Sequence, residues 1–304
     1  MRRMSAAFLK PRYWPLWLAL GAIRLATLLP YRAQRPLGFA AGSVIRLFAG
    51  RRRRITRINL ERCFPELTPA ARRRLEKQHF QSLGMGLIEL GMCWWASPER
   101  LRRLVRIEGL EHLQAATAKG RGAMLLTAHF TTLEIGGAML TLFVRLHAMY
   151  RPNRNPLLDA VIRRGRERRA EHAIPRDDVR AMLKSLKAGV PIWYAPDQGY
   201  RGRNSVVAPF FGVPAPTNPA TGRIARVSGA PVTPFFVRRL ANGDGYLIRL
   251  LPALTDFPSG DDAADAARVN AVLEAGIRDC PEQYLWSHDR FKIVPRKHRR
   301  GNQA

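Results

Sequence analysis

The spacing of apolar and polar positions changes character twice along the chain. Residues 14–29 form an apolar run interrupted by Arg24 and closed by Pro30-Tyr31-Arg32. As a helix this run reaches about 24 Å, short of the roughly 30 Å hydrocarbon core of a bilayer. Tyr13, Trp14 and Trp17 at its start are residue types that settle at membrane interfaces. A second apolar stretch, 37–49, is broken by Arg46 and followed by Arg51, Arg52, Arg53 and Arg54. A cleaved signal peptide, a short or half-inserted membrane helix, and a buried helix of the folded body are the three readings of this region. Arg24 inside the apolar run and the lack of a small-x-small cleavage site count against the first. The expectation is a membrane-anchoring N-terminal segment, 1–50, with its basic flanks on anionic lipid.

From about residue 55 to 103 apolar residues recur every three or four positions between Arg and Glu, which predicts helices. Thr68-Pro69 predicts an N-cap followed by proline at the first helical position. The stretch 80–95 is apolar on most sides, so it is either deeply buried or in contact with lipid. Its Gly84-x-Gly86 lacks a third glycine and a preceding strand, and is no dinucleotide fingerprint.

After Arg106 strands alternate with helices. Residues 122–127 (GAMLLT) and 191–195 (PIWYA) predict buried parallel strands. Helices are predicted over 131–143, 156–173, 177–187, 220–228 and 261–279, with a strand ending at Tyr150. Asn242-Gly243-Asp244-Gly245 between 232–239 and 246–251 predicts a hairpin. The segment between 196 and 219, with Gly199, Gly202 and Gly212, is expected to be a loop. The fold class that follows is α/β: a sheet flanked by helices over 51–295, an N-terminal hydrophobic helix, and a basic disordered tail at 296–304.

Composition narrows the partners. Hydrophobic residues make up 46% of the 304, so the chain folds. The 51 Lys+Arg against 23 Asp+Glu leave a formal charge of +28, a field that attracts nucleic acid, anionic lipid or an acidic protein or ligand. Lysine stands at only seven positions, and the guanidinium fork of the remainder suits phosphate and carboxylate. Cys63, Cys93 and Cys280 are far apart with no CxxC, which excludes a disulfide framework and a structural zinc site.

Sites in α/β sheets gather at the carboxyl ends of strands. The strand at 122–127 runs directly into Ala128-His129-Phe130-Thr131-Thr132-Leu133-Glu134. If Thr131 or Thr132 caps the next helix, Glu134 falls in its first turn and can reach the His129 imidazole. A carboxylate on one ring nitrogen leaves the other free to take a proton, and the helix N-terminus offers N–H groups to an oxyanion. A capping glutamate beside a satisfied histidine fits the same spacing. There is no GxSxG nucleophile, so the pair suits direct attack by an activated substrate hydroxyl.

Further along the chain, several segments carry a family resemblance. They are KPRYWPLWLALG at 10–21, INLERCFPEL at 58–67, LGMGLIELGM at 83–92, the His129 to Glu134 motif, YRPNRNPL at 150–157, Gly165-Arg166, WYAPD at 193–197, Phe210-Phe211, and PEQYLWSHDRF at 281–291. In this order, from end to end, the chain resembles the late acyltransferases of lipid A biosynthesis, in particular the lauroyl-transferring type. The resemblance implies a glycerolipid-acyltransferase-like α/β fold on the cytoplasmic face of the bacterial inner membrane. It implies transfer of a fatty acyl group from acyl carrier protein to a hydroxyacyl chain of Kdo2-lipid IVA, with no metal and no dissociable cofactor. His129 would be the general base and Glu134 its orienting partner. Arg166 and Asp197 match the family's further functional positions, and Arg151 and Asn153 are expected to contact substrate. Gln198-Gly199 departs from the more polar pair expected after Asp197.

Two alternatives differ in class. A glycerophosphate acyltransferase usually carries HxxxxD with a downstream EGTR-like block; the motif here ends in Glu134 and no EGTR follows it. A non-catalytic nucleic-acid or membrane binder fits the charge, but no RNP aromatic set or zinc-finger spacing is present; no nucleic-acid partner is expected.

Overall fold

The computed structural model describes residues 6–150, 153, 155–167, 172–175 and 177–291. The expected tail at 296–304 lies outside them. Helices α1 (Trp14–Leu28), α2 (Tyr31–Phe48), α3 (Gly50–Cys63) and α4 (Pro69–Trp95) form the N-terminal part, followed by α5 (Pro98–Arg102). Then come β1 (Val105–Glu108), α6 (Leu110–Thr117), β2 (Met124–Leu126), α7 (Leu133–Leu140), β3 (His147–Tyr150), α8 (Pro156–Glu167), β4 (His172–Pro175), α9 (Val179–Lys187) and β5 (Ile192–Tyr194). The chain closes with β6 (Val206–Phe210), β7 (Val213–Thr217), α10 (Ala220–Ser228), β8 (Val232–Arg239), β9 (Tyr246–Leu250) and α11 (Asp262–Asp279).

Among the described residues seven strands build one sheet in the order β1-β9-β8-β2-β5-β3-β4, parallel except for the β8–β9 hairpin. Met124, Leu125 and Leu126 are fully buried, as a central strand covered on both faces requires. Alternation sends Met124 and Leu126 into one core with α9, α10 and α11, and Leu125 into a second core under α4 and α7.

The N-terminal expectation needs correcting. Among the described residues no helix is long and apolar enough to cross a membrane. α1 stops after 15 residues because Leu29 precedes Pro30 and is extended (φ −66°, ψ 155°). The carbonyls of Thr27 and Leu29 at its C-terminal end are taken by Arg100 and Gln34. Arg24 stacks on the Trp95 ring at 5.6 Å, so its charge rests on α4. The 27-residue α4 is the helix on which α1, α2 and α3 pack. The Thr68 hydroxyl caps it by accepting the Ala71 N–H. α2 crosses it so closely that a Cβ on Gly84 would collide with the backbone of Gly38 and Gly42. Of the two glycines that failed as a nucleotide signature, Gly84 thus serves a helix contact and Gly86 lies against the Thr131 carbonyl.

Two further expectations change. β4 occupies the end of the predicted 156–173 helix, and the expected 196–219 loop contains the β6–β7 ribbon. Phe210 pairs with Val213 across Phe211 and Gly212, both at positive φ (51° and 73°), as the tight hairpin turn requires. Pro209, Pro214 and Pro216 disguise these strands; a two-stranded ribbon tolerates them because each strand keeps an open edge.

Candidate active site

β2 and β5 are neighbours, with Leu126 paired to Tyr194 at their carboxyl ends. Pairing continues one step further, the Thr127 N–H donating to the Tyr194 carbonyl at 3.0 Å. His129 and Asp197 each stand three residues beyond that last paired position. Two chains leaving strands about 4.8 Å apart therefore deliver both side chains to one place. The result is a 2.6 Å hydrogen bond between His129 Nδ1 and Asp197 Oδ1. The His129 backbone N–H and the Tyr284 hydroxyl also face the Asp197 carboxylate and favour its charged form. The Asp197 side chain is 1% exposed and that of His129 27%, which leaves Nε2 as the ring nitrogen for a substrate.

Burial alone would lower the His129 pKa, but the Asp197 carboxylate, by charge and hydrogen bond, and the Glu134 charge outweigh it. The imidazole ends above its ordinary 6.5. Burial raises the Asp197 carboxyl, yet its partnership with His129 and the Tyr284 hydroxyl brings it below its ordinary 3.8. Burial and the Asp197 charge keep the Tyr284 hydroxyl protonated, well above 10. Burial also pushes the Cys63 thiol up and the Cys280 thiol to about 12, so neither is a thiolate nucleophile near neutral pH.

The carboxylate hydrogen-bonded to Nδ1 is that of Asp197, where Glu134 was expected. The backbone turns at Ala128–Phe130 and α7 starts only at Leu133, so the loop after the neighbouring strand sets the ring. Glu134 lies in the first turn of α7, on the wall of a narrow cavity of about 30 Å³ with Trp94, Gly137, Ala138, Gly165 and Trp193. The expected threonine cap is also displaced. Thr132 is the N-cap residue but donates to the Val237 carbonyl, and the Thr131 hydroxyl pairs with Ser82 Oγ at 2.7 Å.

Of the other expected site residues, Arg151 lies outside the described residues. Arg166 falls in α8, with its side chain outside what is described. The Asn153 carboxamide oxygen accepts the Asn155 N–H and the Asn153 backbone N–H donates to Asp159, both within the turn entering α8.

Residues outside the expected set of site residues hold the loops in place. The Gln283 carbonyl accepts the Thr131 N–H, and the Leu285 N–H donates to the His129 carbonyl. His288 Nε2 accepts the Gly199 N–H at 3.3 Å. Behind them Arg239 makes a buried bidentate pair with Glu89, at 2.7 and 2.8 Å, that ties β8 to α4. The available signal was the 281–291 segment, which supplies Gln283, Tyr284 and His288. Glu89 lies in the 83–92 segment, but its partner Arg239, 150 positions away, had no signal.

An imidazole hydrogen-bonded at Nδ1, at the carboxyl end of a parallel sheet and without a neighbouring nucleophile among the described residues, can take a proton at Nε2 from a bound hydroxyl. Comparison with known proteins places this geometry. Residues 1–293 match the family model described as bacterial lipid A biosynthesis acyltransferase. The chain is 41% identical over 294 residues to the lipid A biosynthesis lauroyltransferase of Escherichia coli (strain K12), covering 96% of each. It is 40% identical over 295 residues to that organism's palmitoleoyltransferase, again covering 96% of each. Its myristoyltransferase is 28% identical over 286 residues, 92% of this chain and 87% of the relative. The chain belongs to the bacterial lipid A biosynthesis acyltransferase family.

Proposed function

We propose that this acyltransferase moves a fatty acyl group, lauroyl in the first instance, from acyl carrier protein to a hydroxyl on a hydroxyacyl chain of Kdo2-lipid IVA. The observation that carries the reading is the His129–Asp197 pair with its open Nε2, in a chain 41% identical to a lauroyltransferase. Nε2 removes the proton as the acceptor oxygen attacks the thioester carbonyl. The carbonyl becomes an oxyanion that needs donors already in place. When the intermediate collapses, the carbon–sulfur bond breaks and the carrier thiolate takes the proton back from Nε2. Asp197 keeps Nδ1 protonated and offsets the imidazolium charge. Arg166 is the proposed transition-state contact, and Arg151 and Asn153 are proposed substrate contacts.

A twelve-carbon chain gains up to about 9 kcal/mol from burial at roughly 0.8 per methylene. The narrow apolar cavity beside Glu134 is the proposed entrance to its slot. Residues 1–50 are proposed to dock on the cytoplasmic face of the inner membrane, lying in the interface. α1 exposes Trp14, Leu18, Leu25 and Leu28, and α2 exposes Leu37, Val44, Leu47 and Phe48. The remaining residues, 51–295, are the proposed acyltransferase domain.

The test is transfer from lauroyl- and myristoyl-acyl carrier protein to Kdo2-lipid IVA in detergent. His129→Ala and Asp197→Asn are each expected to lose at least about a hundredfold, the usual worth of a positioned base. Full activity in His129→Ala would refute the general-base role.

A further inference from the structure

A second, larger cavity of about 660 Å³ opens beside the end of β8, apart from the apolar slot. Two of its wall residues touch the loop that carries His129. Ser82 and Gln283 line it, and both hold Thr131, two residues beyond His129: the Ser82 hydroxyl through the Thr131 hydroxyl at 2.7 Å, the Gln283 carbonyl through the Thr131 N–H at 2.7 Å. Arg239 at the wall is neutralised by Glu89. Arg35, Arg106 and Arg238 also line the cavity, and none has an ion-pair partner among the described residues. The Arg35 Nε–H is buried without an acceptor.

The opposing groups are informative. Asp279 is held by Arg249 at 3.6 Å, which leaves Asp244 and Glu282, with the carboxamides of Gln78 and Gln81, facing the arginines. Guanidinium groups bind phosphate as forks, whereas carboxylates and carboxamides pair with hydroxyls. A fatty chain would bury these groups unpaired, at a cost. A simple inorganic anion would have no use for the two carboxylates.

We propose that this cavity seats the phosphorylated sugar headgroup of the acceptor, with Arg35, Arg106 and Arg238 on its phosphate. The inference rests on the proposed function and extends it to a headgroup site separate from the acyl slot. Helix α2 supplies Arg35 and Phe39 to the cavity and an exposed apolar face to solvent, so a glycolipid held at a membrane surface meets the site from the docking side.

The experiment compares wild type with Arg106→Ala, Arg238→Ala and the double variant, titrating Kdo2-lipid IVA and its enzymatically dephosphorylated form. All melt within a few degrees of wild type if these exposed or half-buried side chains are dispensable for folding. The double variant is expected to raise KM for the phosphorylated acceptor at least tenfold, with kcat and the KM for acyl carrier protein within twofold. The preference for phosphorylated over dephosphorylated acceptor disappears, and lysine at both positions restores part of it. An unchanged acceptor KM, or a fall in kcat alone, overturns the proposal and leaves the proposed function standing. If wild type transfers to neither acceptor, the proposed function fails, and the cavity is judged by calorimetry with the soluble deacylated, diphosphorylated disaccharide. Binding that is lost in the double variant supports the site; no wild-type binding, or equal binding by the variant, overturns it.

Discussion

At Nδ1 of His129 a 2.6 Å hydrogen bond to Asp197 selects the tautomer, while Glu134 adds negative charge from the first turn of α7. Both raise the imidazole pKa, so the neutral form needed to accept a proton grows as pH rises through a value above 6.5. In kcat/KM this is an acid limb belonging to the free enzyme. Glu134→Gln removes charge, lowers the His129 pKa and is expected to move that limb to lower pH; a pH–rate profile reads it. A limb that stays in place or moves up would mean that Glu134 does not act on His129 through its charge. His129 and Glu134 were legible because both sit in one short motif behind a recognisable strand. Asp197 was legible as a position but its partner was not, because that contact spans 68 residues and exists only when β2 lies beside β5.

Among the elements, α4 has the greatest structural burden. It carries Glu89, which holds β8 through Arg239, Ser82, which touches the catalytic loop, and the glycine contact with α2. Gly84→Ala introduces a Cβ where the α2 backbone already sits. Overpacking of this kind costs about 1–3 kcal/mol, to be measured by urea denaturation; unchanged stability would show that the helices part freely. Helix α4 and its cap were legible from Thr68-Pro69 and the apolar spacing, and α10, β8 and β9 from their patterning and the turn between them. β1, β4, β6 and β7 were not. β1 and β4 are four-residue strands at the two sheet edges, and β6 and β7 carry three prolines. Short edge strands and prolines both erase the alternation by which a strand is read.

At the scale of the whole molecule, a charge of +28 and two exposed apolar helix faces suit a surface that is negative above and oily beneath. Leu18 and Phe48 are 75% and 85% exposed. Replacing both with aspartate is expected to cut cosedimentation with phosphatidylglycerol vesicles at least tenfold without lowering the melting temperature; undiminished binding would place the membrane contact elsewhere. Wild-type binding should also weaken as salt screens the arginines. The sequence by itself determined the α/β class, the position of His129 at a strand's carboxyl end and the polarity of the surface, because local spacing and composition encode these directly. Tertiary structure alone decided that Asp197 bonds to His129, that α1 rests on α4, and that three distant arginines line one cavity. Those outcomes depend on which strands and helices become neighbours, and that choice is made by burying apolar faces drawn from the whole chain.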